Sequence, residues 1–433
     1  MNIQEQLSGK RLLLLGDSAN TKEMIQYAQN LGVYVIITDH LPPEISLSKQ
    51  LANEYWDVST ADIDKLEELV RNNHIDGIFS GVSEFNLEKA KLLCKRCHLP
   101  FYASSYQWEI ATNKTKFKKL CQDFGITTPE SLSVDFKDFT KHKNQFKFPV
   151  VVKPVDSRAG IGVFICNNAE ELSKNYLKSI SFSKSKKVLI EPLITAEQVN
   201  IYYAIQKGEI SLVSIADRHV KNQHDGNLPL PVAFILPSKH LQNYVETLDE
   251  KVKEMINSIG IQNGVLLIQS FVDNESFTFY EMGFRLNGSM EYKITSKLNN
   301  INTLEMMINY ALTGSMYDKP IKNFVNPFYL SWGCIIFFIG KPGIIGKIIG
   351  IGKVRSLPEI IDIEAIYREG DLIHESSAGT LKQVFLKVFL STSTKTELVN
   401  VISQVYKLIK VYDINGENLL LNGVEPADLL QEN

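Results

Sequence analysis

The stretch FPVVVKPVDSRAGIGVFI, from Phe148 to Ile165, decides the fold of this chain. Its apolar residues predict two buried strands, with Lys153 near the end of the first. The loop between them contains small residues, namely Ser157, Ala159, Gly160 and Gly162. Glycines let backbone N–H groups approach an anion closely, and a lysine on the strand adds a positive charge. The pattern is typical of a site that grips nucleotide phosphates, although alone it also fits a glycine-rich hairpin turn.

The composition predicts a multidomain globular protein. A chain of 433 residues is too long to fold around one hydrophobic core, and about three domains of roughly 100–200 residues are expected. A net charge of −3 argues against a nucleic-acid or membrane-surface protein. The first ten residues lack the apolar core of a signal peptide, and the apolar stretch Cys334–Ile351 contains lysines, so buried strands are expected there. The odd count of five cysteines disfavours a disulfide framework, and the cytoplasm is the expected location.

The first hundred residues alternate predicted strands and helices. Leu12–Leu15 and Val33–Thr38 predict strands, with a helix between them from Lys22 to Leu31. Leu66–Asn72 predicts a further helix and Gly77–Ser80 a further strand. This order predicts a doubly wound parallel sheet that ends near Trp108.

Later segments predict the surroundings of the glycine loop. NKTKFKKLCQDFGITTP, which begins at Asn113, predicts a helix stopped by glycine, and Val188–Pro192 predicts a strand. One helix is predicted over Leu241–Ile259, and a hairpin over Val265–Phe271 and Phe277–Met282. The polar segment Lys221–Pro231 has the profile of a mobile loop, with Gly226 as its hinge.

Four segments together indicate a family. Lys114 on a helix, Lys153 before the glycine loop, Glu191 at a strand end and the hairpin ending EMGFRLNG occur in one order. In this order and spacing the chain resembles the ATP-grasp superfamily, of the carboxylate–amine or peptide ligase type and similar to biotin carboxylase and the carbamoyl-phosphate synthetase large chain. Its tail resembles the C-terminal domain of the biotin carboxylase branch. The resemblance implies a pre-ATP-grasp α/β domain at residues 1–108, an ATP-grasp domain at 109–326 and a C-terminal β-rich domain at 327–433. The ATP-grasp domain would have a small lobe at about 113–193 and a large lobe at about 194–326.

The resemblance also implies an ATP site. Lys114 and Lys153 would bind phosphates, together with Ser157, Gly160 and Gly162 of the loop. The backbone of Glu191, Pro192 and Leu193 would meet the adenine. Gln198 holds the position of the usual ribose-binding acid, with Glu197 beside it as an alternative. Without the resemblance, Lys114 would be read as a solvated lysine in the run KTKFKK.

A site for Mg²⁺ (or Mn²⁺) is implied on the later hairpin. The family usually offers an acid on the first strand and Glu-x-Asn on the second, and these positions are Gln269, Glu281 and Gly283 here. With a loop at Asn274–Ser276, Gln269 and Glu281 would face each other, about 5 Å apart at Cβ. Asn287 is a further candidate ligand. We expect weaker metal binding than at a site with two carboxylates.

Four residues are candidates for catalysis or substrate binding. Arg285 matches the family's arginine near the reacting carboxylate, where a guanidinium neutralises developing charge, and a surface ion pair is its other interpretation. Glu84 fits either a substrate-side residue or an acid at a helix N-terminus. Arg218 and Lys221 lie where the family approaches the acceptor or the phosphates, and an exposed basic strand end fits equally.

The resemblance implies an ATP-dependent ligase that forms an amide or peptide bond through an acyl phosphate, with Arg285 and Lys153 as catalytic residues. ATP, a small carboxylate and an amine, expected to be amino acids or similar compounds, would be its partners, and a homodimer is compatible with the family. Two alternatives remain: a bicarbonate-activating enzyme of the carboxylase or carbamoyl-phosphate type, and a nucleotide-binding regulatory protein with impaired catalysis. Gln269 and Gly283 are the case for the last.

Overall fold

The fold is known from a computed structural model that describes residues 3–18, 20–142, 145–157, 160–222 and 227–431. The strands are β1 (Arg11–Leu15), β2 (Tyr34–Thr38), β3 (Glu54–Trp56), β4 (Gly77–Phe79), β5 (Leu132–Val134), β6 (Val150–Pro154), β7 (Phe164–Cys166), β8 (Val188–Pro192), β9 (Glu197–Gln206), β10 (Glu209–Lys221), β11 (Leu230–Leu236), β12 (Asn263–Asp273), β13 (Ser276–Gly283), β14 (Trp332–Ile339), β15 (Gly343–Ile349), β16 (Ile360–Ala365), β17 (Leu372–Ile373), β18 (Val384–Thr392) and β19 (Lys410–Asp413).

The helices are α1 (Ile3–Leu7), α2 (Thr21–Asn30), α3 (Leu47–Leu51), α4 (Ile63–Asn72), α5 (Glu84–Cys97), α6 (Ser105–Thr112), α7 (Lys114–Asp123), α8 (Phe136–His142), α9 (Ala169–Ser181), α10 (Leu241–Thr247), α11 (Asp249–Ser258), α12 (Tyr292–Asn299), α13 (Thr303–Thr313), α14 (Ile351–Arg355), α15 (Lys395–Leu408) and α16 (Pro426–Gln431). Short 3₁₀ turns occupy Ile321–Asn323, Glu375–Ser377 and Leu381–Gln383. None of the described helices is both long enough and apolar enough to cross a membrane.

The N-terminal sheet is parallel, in the order β3-β2-β1-β4. Both of its faces are buried, because Leu12 and Leu14 enter one hydrophobic core and Leu13 and Leu15 another. The all-apolar run that predicted a buried strand therefore fills two cores at once. The predicted parallel α/β unit is confirmed.

A second sheet carries the glycine loop. It has the antiparallel order β5-β8-β6-β7, and the loop joins β6 to β7, as the sequence predicts. Helix α9 packs on β6, β7 and β8, and Leu172 and Tyr176 of that helix share a core with Val150 and Val152. The strands that flank the loop are thereby held from one side by a helix.

The largest sheet is antiparallel, with eight strands in the order β13-β12-β9-β10-β11-β14-β18-β16. It begins with the predicted metal hairpin and continues without a break into strands beyond residue 327. A three-stranded sheet, β17-β15-β19, completes the fold. The stretch Cys334–Ile351 contains strands, as predicted.

Two predictions about local structure are wrong. The single helix expected over Leu241–Ile259 is two helices, α10 and α11, which meet at Leu248. The break places the buried Asp249 carboxylate 2.6 Å from the Tyr203 hydroxyl, a long-range contact that hydrophobic periodicity cannot reveal. The metal hairpin turns at Asn274 and Glu275, because Ser276 already pairs with Asp273.

The segment predicted as a loop over Lys221–Pro231 is strand at both ends, because β10 ends at Lys221 and β11 begins at Leu230. Its proposed hinge, Gly226, lies outside the described residues, as does Ala159 of the glycine loop.

Candidate functional site

Lys114 links three elements of the site. It is the first residue of α7, whose start is capped by the Asn113 side chain. Its Nζ donates to the carbonyl oxygen of Ser157 in the glycine loop over 2.8 Å, and lies 3.2 Å from Oε1 of Glu281 on β13. Because the lysine is buried, its interpretation as a solvated surface residue is wrong.

The glycine loop has the backbone geometry that its sequence suggests. Gly160 and Gly162 have φ angles of +72° and +75°, which favour glycine. A Cβ at Gly162 would also lie 2.9 Å from the ring of Phe182. Ser157 donates its hydroxyl to the carbonyl oxygen of Ile161 across this turn.

A buried triad of charges connects strands β6 and β8 to helix α7. Glu191 accepts from Lys153 over 2.6 Å and from Lys118. Lys153 and Glu191 are diagonal neighbours on β6 and β8, while Lys118 lies one helical turn beyond Lys114. Burial acts to raise the pKa of Glu191, but the two lysines prevail and lower it. Burial lowers the pKa of Lys118 to about 8, and the charge of Lys153 adds to that effect.

The hairpin of β12 and β13, predicted as the metal site, pairs Gln269 with Glu281 as the sequence predicts. It does so by means of a β-bulge that the sequence did not reveal. Gln269 lies opposite Glu281, but a bulge separates this pair from the next, Ser270 with Phe279. The bulge offsets the turn, which is one residue tighter than expected. Burial acts to raise the pKa of Glu281, while Lys114, Lys153 and Arg285 together lower it below its usual value.

Arg285 and Glu84 form an ion pair at the edge of the same site. The Arg285 Nε and one terminal nitrogen donate to Oε1 of Glu84 over 3.1 and 3.0 Å. Glu84 is also the first residue of α5, which agrees with its interpretation as an acid at a helix N-terminus. Glu84, Lys114, Ser157 and Glu281 line one narrow polar pocket.

The predicted ribose position belongs to a separate cavity of about 320 Å³, lined by Thr195, Glu197, Gln198, Asp217, Arg218 and Lys239 among others. Gln198 accepts from Arg218, and Glu197 accepts from Lys239 over 2.7 Å. Gln198 and Arg218, predicted separately as ribose and substrate residues, are therefore neighbours.

Three predicted residues stand apart from this arrangement. Lys221 pairs with Glu425 over 3.3 Å. Pro192 is exposed at the end of β8. The N–H of Leu193 donates to the carbonyl oxygen of Pro149, so in this structure it is not available to bind the adenine ring of a nucleotide.

Sequence reasoning missed Lys118, Asn200 and Tyr202. Lys118 follows Lys114 by four residues, and this spacing puts both lysines on one face of a helix. The spacing was therefore a signal from which Lys118 could have been predicted as a site residue. Asn200 accepts from Gln269 over 2.9 Å, and Tyr202 connects Asn200 to Asn287 through contacts of 3.1 and 3.5 Å. Gln198, Asn200 and Tyr202 alternate along β9, and this spacing of two residues could have predicted a polar row on one face of the sheet.

The oxygen donors at the hairpin fit a magnesium ion. Glu281 offers a carboxylate and Gln269 an amide oxygen, and both are hard ligands of the kind that Mg²⁺ takes together with phosphate oxygens. Asn287 is connected to this pair through Tyr202 and Asn200.

Comparison with known proteins identifies the family of the central part of the chain. Residues 113–317 match the family model described as carbamoyl-phosphate synthase L chain, ATP binding domain. A formate-dependent phosphoribosylglycinamide formyltransferase of Trichormus variabilis is 24% identical over 308 residues, which are 70% of this chain and 76% of that protein. An L-arginine-specific L-amino acid ligase of Bacillus subtilis is 23% identical over 306 residues, covering 69% of this chain and 71% of that one.

The fold agrees with these sequence relatives. The crystal structure of an L-amino acid ligase from Bacillus licheniformis superposes with a TM-score of 0.77 at 16% identity, covering 94% of this chain and 99% of that one. Residues 113–317 therefore form an ATP-binding domain of the carbamoyl-phosphate synthase L chain family, and the sequence relatives and solved structures that resemble the chain belong to the ATP-grasp superfamily of ATP-dependent ligases.

Proposed function

We propose that this protein is an ATP-dependent carboxylate–amine ligase, which forms an amide or peptide bond through an acyl phosphate. The observation that carries this proposal is the ion pair between Arg285 and Glu84. Glu84 lines the same pocket as Lys114 and Glu281, and the two charged side chains keep 20% and 19% of their surface exposed. A substrate therefore has access to both charges beside the phosphate-binding lysines.

The two charges of this pair suit an acid and an amine. A guanidinium recognises a carboxylate through its planar fork of N–H donors, and a carboxylate recognises an ammonium group. Both contacts of Arg285 go to one oxygen of Glu84, so the pair is not the bidentate arrangement that would be hardest to open. An amino acid offers both complementary charges, in keeping with the name of the Bacillus subtilis relative.

The proposed reaction has two steps. An oxygen of the substrate carboxylate attacks the γ-phosphorus of ATP, the bond from that phosphorus to the bridging oxygen breaks, and ADP leaves. The amine nitrogen then attacks the acyl carbon, the carbon–oxygen bond to phosphate breaks, and the amine loses a proton. Lys114 and Lys153 hold phosphates, and Arg285 neutralises charge at the reacting carboxylate. Mg²⁺ or Mn²⁺, held by Glu281 and Gln269, would supply further neutralisation of phosphate charge.

The test measures ADP release from Mg-ATP in the presence of amino acids, supplied singly and in pairs. Mass spectrometry measures the mass of the amide product. Bicarbonate forms a separate arm. Release that requires an acid and an amine, with a product of the joined mass, supports the proposal. Release with bicarbonate alone overturns it in favour of a carboxylase-type enzyme, and ATP binding without release in any mixture favours the nucleotide-binding regulatory protein.

Variants separate the roles of the ion pair. We expect Glu84→Gln to raise the KM of the amine and Arg285→Lys that of the acid, because each weakens one charge contact. ATP affinity should change little in both. Lys116→Met is the matched control, because Lys116 lies on α7 beside Lys114 but pairs with Glu109 at the surface. Equal loss for acid, amine and ATP in the Glu84 variant would contradict these roles.

The proposal extends to partners and location. Amino acids or similar compounds would be the two substrates, a homodimer is compatible with the family, and the cytoplasm is the proposed location.

A further inference from the structure

A row of three polar side chains crosses three neighbouring strands at the predicted metal site. Glu281 on β13 lies opposite Gln269 on β12, and Gln269 lies opposite Asn200 on β9. Side chains opposite each other in a ladder point to the same face of the sheet. Only the first member of this row carries a charge.

The hydrogen bonds in the row fix the direction of the Gln269 amide. Its Nε2 donates to Oδ1 of Asn200 over 2.9 Å. Asn200 is fully buried, and its own Nδ2 donates to the Tyr202 hydroxyl over 3.1 Å, which leaves Oδ1 as the acceptor for Gln269. Because the amide nitrogen faces Asn200 on one side, the amide oxygen of Gln269 is turned toward the Glu281 strand.

The charges around Glu281 oppose a bare cation. Glu281 already lies 3.2 Å from the Lys114 ammonium, and Lys153 and Arg285 add to the positive potential at its carboxylate. In the described part of the site, the two ion pairs and the buried triad together contain four cationic side chains and three carboxylates. A divalent ion entering alone meets one carboxylate that is already neutralised, and an amide that brings no charge.

Nucleotide phosphates reverse this balance. A triphosphate brings several negative charges to the lysines and supplies oxygen ligands to the ion. We infer that the site takes a divalent cation only together with the nucleotide phosphates, and that Asn200 is a positioning residue that turns the Gln269 amide oxygen toward the ion. This inference rests on the proposed function, since it takes the pocket beside Lys114 to be the phosphate site.

The test measures binding without turnover, with Mn²⁺ as the probe and a non-hydrolysable ATP analogue as the nucleotide. Water-proton relaxation reports bound Mn²⁺, and calorimetry in EDTA reports nucleotide binding without metal. For the unmodified chain we expect no saturable binding of Mn²⁺ alone, but saturable binding once the nucleotide is present. Gln269→Glu adds a carboxylate to the row and should bind Mn²⁺ without nucleotide.

Asn200→Ala tests the positioning role. Loss of an orienting partner of a ligand typically costs about 10- to 100-fold in metal affinity. We expect Mn²⁺ to bind the nucleotide complex of this variant at least about tenfold more weakly, while metal-free nucleotide binding is unchanged. Ser270→Ala is the matched control, because Ser270 is buried next to Gln269 on β12 and donates to a backbone carbonyl oxygen instead.

Each outcome bears on the inference. Saturable Mn²⁺ binding to the unmodified chain without nucleotide overturns it, as does an Asn200→Ala variant that loses metal-free nucleotide affinity as much as Mn²⁺ affinity. Should Asn200→Ala not fold, the Gln269→Glu comparison decides, and equal Mn²⁺ binding by this variant and the unmodified chain overturns the inference. Absence of any nucleotide binding refutes the proposed function as well, so the two failures are distinguishable.

Discussion

Replacing Glu191 by Gln gives the sharpest test of how the sheet that carries the glycine loop is held to helix α7. The side chains of Lys118, Glu191 and Lys153 are exposed by only 3%, 6% and 9%, so water cannot take over the role of a lost partner. The substitution keeps the shape of residue 191 and removes the one carboxylate between two ammonium groups. We expect it to lower the stability of the folded chain.

The magnitude follows from the geometry. With the charge centres of each pair taken as about 4 Å apart and an effective dielectric constant of about 20, each ion pair is worth roughly 4 kcal/mol. Two pairs are lost, and the relieved desolvation of the carboxylate, several kcal/mol, offsets about half of that sum. The expected loss is about 4 kcal/mol at pH 7, within the range of about 3–5 kcal/mol for breaking a buried pair.

The loss should depend on pH in a definite direction. The pKa of Lys118 is about 8 in the folded chain, against an ordinary value of 10.5, and burial is the main cause. Between these values the unfolded chain binds more protons, so stability rises with pH. Without Glu191 both lysines lose their counter-charge, and the folded pKa of Lys118 falls further. The variant therefore gains more stability with rising pH than the unmodified chain, and the difference between them shrinks.

Urea unfolding of both proteins at pH 7 and pH 9.5, followed by circular dichroism, measures this difference. Glu109→Gln is the control, because Glu109 on α6 pairs at the surface with Lys116 of α7, the helix that also carries Lys118, and a surface ion pair is worth less than about 1 kcal/mol. A Glu191→Gln protein within about 1 kcal/mol of the unmodified one at pH 7 would refute the reasoning. So would a difference that grows at pH 9.5.

Three further predictions concern single positions. Lys114→Met should weaken ATP binding by about 10- to 100-fold, the loss of a charge-assisted hydrogen bond, while Lys116→Met leaves it unchanged, as calorimetry will show. Gly162→Ala should lower the melting temperature more than Gly160→Ala, because both need a positive φ but only a Cβ at Gly162 meets a phenylalanine ring; equal losses would contradict this. Burial raises the pKa of Glu291 to about 7, above the unfolded value of 4.5, so its ionisation costs stability as pH rises between them. Glu291→Gln should therefore change little in urea unfolding at pH 4.5 and stabilise by about 3 kcal/mol at pH 8.

The sequence by itself determined the local elements of this protein. The glycine loop, the α7 helix with its leading lysine and the metal hairpin each depend on residues close in the chain, where alternation, small residues and helix stop signals act directly. The alternating strands and helices of the N-terminal sheet were equally accessible, since an all-apolar run such as Leu12–Leu15 suits only a strand buried on both faces.

Only the tertiary structure decided which side chains meet. Arg285 reaches Glu84 from 201 residues away, and Lys118 reaches Glu191 from 73. The direction of the Gln269 amide depends on Asn200, which lies on β9, a strand distant from Gln269 in the sequence. Such contacts depend on the packing of separate elements, and no periodicity along the chain encodes them. The sequence thus determined the elements to which we assign nucleotide binding, and the packing of those elements decided how their charges are balanced.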